Sequence, residues 1–269
     1  MYLHIISDTH LEFRNNINYV IKCIKNNADY LALLGDICMC GSDKEFIKYK
    51  NFITILSKKF KKIFIVTGNH EYYTEKNLKK KESIQDINIK INNFCKTIKN
   101  VIFLNNKSYR LKRKNLKDIV FFGTTLWTSI PKDKLIAVES NMNDYSNIYY
   151  KNKNKINNKL KALDVVQMNK KMVASIKSLI TRCKKKNEEC IILTHHKPYQ
   201  IGEFKNVIDY AYSNKLNNII KKPIIIWSYG HTHKSDNRII NKVKIYSNPM
   251  GYPHENHKIT YDNKLKIKI

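Results

Sequence analysis

The chain has 269 residues, 42% of them hydrophobic, which allows one α/β domain with a sizeable core and excludes the composition of a disordered chain. Its formal charge is +28, yet only five of the basic residues are Arg, and Lys, Asn and Ile are abundant throughout, a pattern that fits a bias in composition as well as it fits a phosphate-binding face. Cys23, Cys38, Cys40, Cys95, Cys183 and Cys190 lack the spacing of a disulfide scaffold or zinc cage, no apolar run reaches the roughly 20 residues of a membrane helix, and no leader-like segment opens the chain, so the expectation is a cytoplasmic protein with reduced thiols and no membrane partner.

In chain order, Leu3 to Ile6 predicts a first strand, and Ile17, Val20, Ile21 and Ile24 recur at helical spacing. Tyr30 to Leu34 is the second strand; Phe46, Tyr49, Phe52, Ile53 and Leu56 mark a second helix before the strand Ile63 to Val66. Ile84, Ile87, Ile91, Phe94 and Ile98 give a third helix, followed by strands at Val101 to Leu104, near Tyr109 to Leu111, and at Ile119 to Gly123. Residues 128 to 160 are polar and Asn-rich, and predict a surface loop or partial cap inserted in a single domain spanning residues 1 to 269. A long helix over residues 160 to 183 precedes strands at Cys190 to Leu193, Pro223 to Ser228, Arg238 to Ile240 and Val243 to Ser247, with a last hairpin over Lys258 to Ile269 around Asp262-Asn263. Strands alternating with amphipathic helices predict an α/β fold, with two sheets packed face to face between helices.

Five polar clusters each follow an apolar run: Asp8-Thr9-His10, Gly35-Asp36, Gly68-Asn69-His70-Glu71, Thr194-His195-His196 and Gly230-His231-Thr232-His233. Ligands of open α/β sheets gather beyond the carboxyl ends of the strands, so the first three clusters, which end the first three strands, should converge. Mixed carboxylate and imidazole donors suit Mn, Fe or Zn better than Mg or Ca. Asp8/His10 and His231/His233 sit two residues apart, a spacing that puts both side chains of a pair on one side of an extended strand end. A carboxylate such as Asp36 has two oxygens with which to bridge two ions. A lone Gly-Asp or a lone His is an ordinary turn or core residue; five such clusters in one order are not. Asp36 and Glu71 as paired carboxylates of a metal-free hydrolase would leave the histidines around them unexplained.

The ordered set resembles the calcineurin-like metallophosphoesterase superfamily. Ser7-Asp8-Thr9-His10-Leu11-Glu12-Phe13, Gly68-Asn69-His70-Glu71-Tyr72-Tyr73, Gly123-Thr124-Thr125-Leu126-Trp127, Met142-Asn143-Asp144-Tyr145, Thr194-His195-His196-Lys197-Pro198 and Asn248-Pro249-Met250-Gly251-Tyr252 resemble a group of small intracellular members, and the likeness runs over nearly the whole chain. It implies a four-layer α/β-β/α sandwich with two mixed sheets, and a dinuclear site with two divalent ions, Mn first and Fe, Zn or Ni admitted. Asp8, His10 and His233 would hold one ion, Asn69, His195 and His231 the other, and Asp36 would bridge. His195 is preferred to His196 because it comes first after its strand; His196 would then stand behind the ligands or near substrate. The ions would acidify a bridging water to hydroxide, with His70 stabilising the transition state or protonating the leaving oxygen and Asn69 contacting substrate. Trp127 and Thr125 would line the mouth or pack, and Asn143-Asp144-Tyr145 would contact substrate or fix its loop.

The implied activity is a phosphodiesterase or phosphomonoesterase acting on a small, nucleotide-like phosphate ester. Two other functions stay open: a metal-dependent nuclease that uses the basic surface on nucleic acid, and a nucleic-acid-binding or scaffolding protein with a structural metal site. Where protein phosphatases of the superfamily follow Gly-Asp with a Val-Asp-Arg-Gly type sequence, this chain reads Gly35-Asp36-Ile37-Cys38-Met39-Cys40-Gly41, without that phosphate-gripping Arg.

Overall fold

The computed structural model describes residues 1–75, 77–152, 154, 157–255 and 261–269. Along the chain these form β1 (Tyr2–Ile6), α1 (Ile17–Cys23), β2 (Tyr30–Leu34), α2 (Asp43–Ser57), β3 (Lys62–Val66), α3 (Ile84–Lys96), β4 (Val101–Phe103), β5 (Lys107–Leu111) and β6 (Ile119–Thr124). There follow α4 (Leu135–Asn141), α5 (Asp144–Asn147), β7 (Tyr149–Lys151), β8 (Asn157–Lys159), α6 (Ala162–Lys185), β9 (Glu189–Thr194), α7 (Asp209–Tyr212), β10 (Ile224–Tyr229), β11 (Asp236–Ile240), β12 (Val243–Ser247) and β13 (Ile267–Lys268).

Two mixed sheets stack between helices. The first has the order β13-β1-β2-β3-β4, with β1 to β4 parallel; the second has the order β11-β12-β10-β9-β6-β5, parallel at its centre and antiparallel at both edges. Alternation along β1 to β3 explains the layering. Leu3, Ile5, Ala32, Leu34, Phe64 and Val66 face the second sheet, where Phe64 stacks on Phe121 with centroids 4.2 Å apart, while Ile6, Leu31, Leu33, Ile63 and Ile65 face α1, α2 and α3. The outer face of the second sheet is covered by α6 through Ile176, Leu179, Ile180 and Cys183. Burying both faces of both sheets requires the near-continuous apolar strands that the sequence shows. Among the described residues, no helix is long and apolar enough to cross a membrane.

Two segments carry structure that the sequence pattern leaves open. Residues 128–160, read as a surface loop or partial cap, carry α4, α5 and the hairpin of β7 and β8, and bury Val138, Tyr145, Ile148 and Leu160 against the first sheet's helical layer. Asn-rich stretches hide this because the apolar contacts are few and irregularly spaced. At the C-terminus, the first arm of the expected hairpin falls partly outside the described residues, and β13 pairs antiparallel with β1.

Candidate metal centre

Beyond Ile6, Leu34, Val66, Thr194 and Tyr229, the ends of five neighbouring strands, the chain turns sharply. After Ile6, Leu34 and Tyr229 the turns use a conformation that side chains seldom adopt: φ is 55° at Asp8, 44° at His10, 54° at Asp36, 68° at His231 and 50° at His233. The paired clusters therefore do not sit on extended strand ends, as their spacing suggests; left-handed turns aim their side chains instead. Asp8 and His10 go to one donor set, whereas His231 and His233 part to different sets. Close approach of the loops needs glycine at two places. A Cβ on Gly68 would run into Asp36 Oδ1 and His195 Cε1, and one on Gly35, itself at φ 86°, would lie 2.5 Å from His195 Nδ1.

In the first donor set, His10 Nε2 lies 3.1 Å from His233 Nε2, which is 3.5 Å from Asp8 Oδ1. In the second, His195 Nε2 lies 3.1 Å from Asn69 Oδ1, 3.2 Å from His231 Nδ1 and 3.4 Å from Asp36 Oδ2. Asp36 Oδ2 is also 3.8 Å from His10 Nε2, so one oxygen faces both sets. The other, Oδ1, is taken by the backbone N–H of His70 at 2.8 Å. Asp36 therefore presents Oδ2 to both donor sets, with the carboxylate oriented through Oδ1 by the N–H of His70.

Neighbouring side chains aim these donors. His195 Nδ1 donates to Leu34 O (2.8 Å), which leaves Nε2 facing the set. Asp144 Oδ1 accepts from Asn69 Nδ2 (2.9 Å) and from Tyr73 OH (2.7 Å); a carboxylate cannot donate, so the amide oxygen of Asn69 turns to His195. Asp144 thereby fixes Asn69. Glu255 Oε2 accepts from His233 Nδ1 (2.6 Å). Glu71 accepts from the backbone N–H of Gly68, Asp36 and Ile37, so its carboxylate is spent on joining two loops and does not pair with that of Asp36. Glu12 Oε1 accepts from both His10 Nδ1 (3.1 Å) and His70 Nδ1 (2.9 Å), linking a donor of the first set to His70.

Electrostatics show what the two sets want. Two neutral imidazole nitrogens near 3.1 Å repel unless something positive lies between them. Burial pushes His195 and His233 toward the neutral form, but Asp36 and Asp8 respectively outweigh it and raise both to about 9. Burial, joined by neighbouring cationic histidines, holds their partners His231 and His10 below the ordinary value. Each N···N pair thus joins one ring held toward the cationic form to one held toward the neutral form. Burial acts to raise Asp8 and Asp36, yet the charged histidines prevail and hold both carboxylates ionised. Buried acceptor atoms in two sets joined by a carboxylate oxygen are chemically suited to divalent ions.

Of the residues singled out in the sequence, Asp8, His10, Asp36, Asn69, His195, His231 and His233 come together here. His70 stands beside them, its Nε2 3.2 Å from Tyr252 OH and its ring stacked on Tyr73. His196, read as a residue behind the ligands or near substrate, is 1% exposed, bonds through Nδ1 to Thr125 O and packs against His231 and Trp127, so it lies behind the donors and off the cavity wall. Trp127 and Thr125 are likewise interior packing. Cys38 and Cys40 bond to nearby carbonyl oxygens rather than to a metal site. Sequence reasoning missed Glu12, Tyr252 and Glu255 as partners of the histidines; the spacing of Glu12 two residues after His10 was the one available signal.

A cavity of about 610 Å³ opens over Asp36, Asn69, His70, His231 and His233. Its outer wall is aromatic and amide in character, with Phe13, Tyr73, Tyr212 and Tyr252 facing Asn141, Asn143 and Asn147, and no Lys or Arg lines it among the described residues. Phe13 is 56% exposed at its edge.

Comparison with known proteins agrees with the geometry. The family model described as calcineurin-like phosphoesterase matches residues 1–235. An uncharacterized protein, L509, of Acanthamoeba polyphaga mimivirus is 37% identical over 277 residues, covering 94% of this chain and 92% of that protein. Among solved structures, the phosphopantetheinyl hydrolase from Mycobacterium tuberculosis aligns with a TM-score of 0.73 and 13% identity, over 99% of this chain and 95% of that one. The protein TT1561 of Thermus thermophilus aligns with a TM-score of 0.55 and 13% identity, over 92% and 88% respectively. At these identities the structural likeness speaks to the fold.

Proposed function

The chain belongs to the calcineurin-like phosphoesterase family and is a metal-dependent phosphoester hydrolase, and from that premise we propose that it is a dinuclear enzyme acting on a small, nucleotide-like phosphodiester or phosphomonoester. The observation that carries this reading is Asp36 Oδ2, placed 3.4 Å from His195 Nε2 and 3.8 Å from His10 Nε2 with its partner oxygen held by a backbone N–H. Asp8, His10 and His233 form one site, Asn69, His195 and His231 the other, and Asp36 joins them. Mixed imidazole and carboxylate donors favour Mn, with Fe, Zn or Ni also admitted. When bound, two divalent cations supply the positive charge that makes water nucleophilic near neutral pH and neutralises phosphoryl oxygens.

The chain's own residues supply the rest. Glu12 fixes Nδ1–H of His70, so the atom that holds or gives up a proton toward the cavity is Nε2. Burial works against the charge on His70, but Asp36 and Glu12 raise it to about 9, and the ring can protonate a leaving oxygen at neutral pH. Tyr252 OH, 3.2 Å from Nε2, marks where that oxygen would sit. The aromatic wall suits the faces of a planar base and the three asparagines suit its polar edge. Absence of lysine and arginine from the cavity lining, among the described residues, counts against a long polyanion in the site and so against a nuclease.

The test is hydrolysis of bis-p-nitrophenyl phosphate, p-nitrophenyl phosphate and a nucleotide panel after reconstitution with Mn, Fe, Zn or Ni, with Asp36→Asn and His70→Ala alongside. Metal-dependent turnover lost in Asp36→Asn, with metal content falling from two per chain, is the expected result. Full turnover with one bound ion would overturn the dinuclear reading.

A further inference from the structure

A second concavity, of about 570 Å³, adjoins the first and shares Tyr212 and Thr232 with it. Thr232 lies between the donors His231 and His233, and the ring of Tyr212 stacks 4.8 Å from that of His231, so the two spaces meet at the metal centre's rim. Their linings are opposite in character. The first has no Lys or Arg among the described residues; the second gathers Lys197, Lys205, Lys234 and Arg238.

Lysines are common on this chain, and most stand in solvent. Lys205 and Lys234 are exposed like them, whereas Lys197 and Arg238 differ by how they are held. The Nζ of Lys197 lies 4.5 Å from the ring centre of Tyr199, and the guanidinium of Arg238 lies 5.4 Å from the same ring. Tyr199 is fully buried, which makes it a rigid floor, and its hydroxyl and that of Tyr229 both donate to Asp236 Oδ2. Asp236 Oδ1 takes Arg238 Nε at 2.5 Å. The carboxylate is therefore saturated by two hydroxyls and one guanidinium. Asp209, also on the wall, has an oxygen that accepts from the backbone N–H of Lys205 and of Asn206, at 2.9 Å each. Glu203 is exposed at the rim. Among the described residues the half-buried Lys197 makes no ion pair: the carboxylate that attracts it, Asp236, is already bonded to two hydroxyls and Arg238, and Arg238 and Lys234 are like charges beside it. Four cations against three carboxylates, of which Asp236 and Asp209 are already hydrogen-bonded, leave the concavity net positive and suited to an anion.

We propose that this groove is a subsite for a second phosphate of the substrate, so that the physiological substrate carries two phosphate groups: the scissile ester at the metal centre and another held by Lys197, Lys205 and Lys234. This rests on the phosphoesterase reading of the neighbouring site, and it deepens that reading to nucleoside bisphosphates and compounds like them. Tyr212 would separate the two groups. The ammonium groups act as point charges toward phosphate, with Arg238 already committed to Asp236.

The experiment compares adenosine 5′-monophosphate with adenosine 3′,5′- and 2′,5′-bisphosphate on the Mn-reconstituted full chain, in wild type, Lys197→Met, Lys234→Ala and Lys234→Arg. The quantity read is the ratio of kcat/KM for a bisphosphate to that for the monophosphate. Expected is a ratio well above unity in wild type that falls about tenfold in Lys197→Met and in Lys234→Ala and returns in Lys234→Arg. Lys234 is exposed, so its variants fold irrespective of Lys197. A ratio equal in wild type and both charge-removing variants overturns the subsite. Calorimetric binding of the same three nucleotides separates this from the parent reading. If no nucleotide is turned over but the bisphosphates still bind about tenfold tighter than the monophosphate and lose that margin in Lys197→Met and Lys234→Ala, the subsite stands and nucleotide hydrolysis falls; equal affinities sink the subsite whatever the turnover.

Discussion

Glu12→Gln removes one negative charge while keeping the outline of the side chain, and its effect follows from one oxygen. Glu12 Oε1 accepts from His10 Nδ1 at 3.1 Å and from His70 Nδ1 at 2.9 Å. A hydrogen bond to an ionised acceptor is roughly twice as strong as one between neutral groups, so the change weakens each by about 1 kcal/mol. That is roughly fivefold per bond, and the two shares can be separated. The share through His10 acts on a donor of the first set and appears in metal affinity; the share through His70 appears in turnover once metal is saturating. Burial would raise the Glu12 carboxyl, but bonds from His10 and His70 hold it near 2, so it stays ionised through the neutral range and the loss should not vary with pH there. By the same sign, its contribution to stability is present above the ordinary carboxyl value and fades only as pH falls toward 2. Metal titration followed by kcat at saturating Mn is the assay. A Gln variant with wild-type metal affinity and wild-type kcat would refute the idea that one carboxylate serves both rings.

Asp144→Ala leaves Asn69 Nδ2 and Tyr73 OH without their acceptor and frees the Asn69 amide to turn, which should weaken metal binding about 10- to 100-fold by the usual cost of an outer partner. Equilibrium dialysis reads this directly, and undiminished affinity would show that Asn69 needs no such hold. Metal binding should also release protons. His195 and His233, raised to about 9 in the metal-free chain, must become neutral to bind, whereas His10 and His231 are already held low. Calorimetry in buffers of differing ionisation heat should find at least about two protons released per chain near pH 7.5, declining as pH passes 9. Stability of the metal-free chain carries the matching sign: the part due to these two rings is complete below pH 6.5 and lost as pH rises through 9. In the core, Phe121→Ala removes one half of the stacked pair that joins the sheets and should cost about 3–5 kcal/mol in denaturant unfolding.

Much of this architecture is written in periodicity. The stretch Tyr30 to Leu34 is a strand with the bounds its residues suggest, because five consecutive apolar side chains bounded by a Gly-Asp turn admit little else. The candidate donors were legible for the same reason: hard and borderline ligands placed just past buried strands meet at one common end of the two stacked sheets. Residues 128–160 were less legible, since the contacts that order them, such as Ile148 and Leu160 inside and Asp144 on Asn69, depend on surfaces supplied by distant parts of the chain. Glu12 was nearly hidden, because apart from its spacing two residues after His10 nothing in a Glu on a short turn tells it from a solvated one.

Asp36 shows most clearly where such reading stops. Its residue type offers two oxygens to a bridge, and in the structure Oδ2 faces both donor sets while Oδ1 accepts from the N–H of His70. That N–H belongs to the backbone, and every residue except proline has one. Glu71 completes the arrangement by accepting from Gly68, Asp36 and Ile37, so the loop bearing Asn69 and the loop bearing Asp36 are fastened through main-chain donors. His70 thus contributes in two separable ways: its ring lines the cavity, and its backbone N–H orients the Asp36 carboxylate. His70→Ala removes the first and keeps the second. Metal stoichiometry should therefore survive in that variant while turnover falls, and loss of one bound ion would show that the ring, not the N–H, holds Asp36 in place.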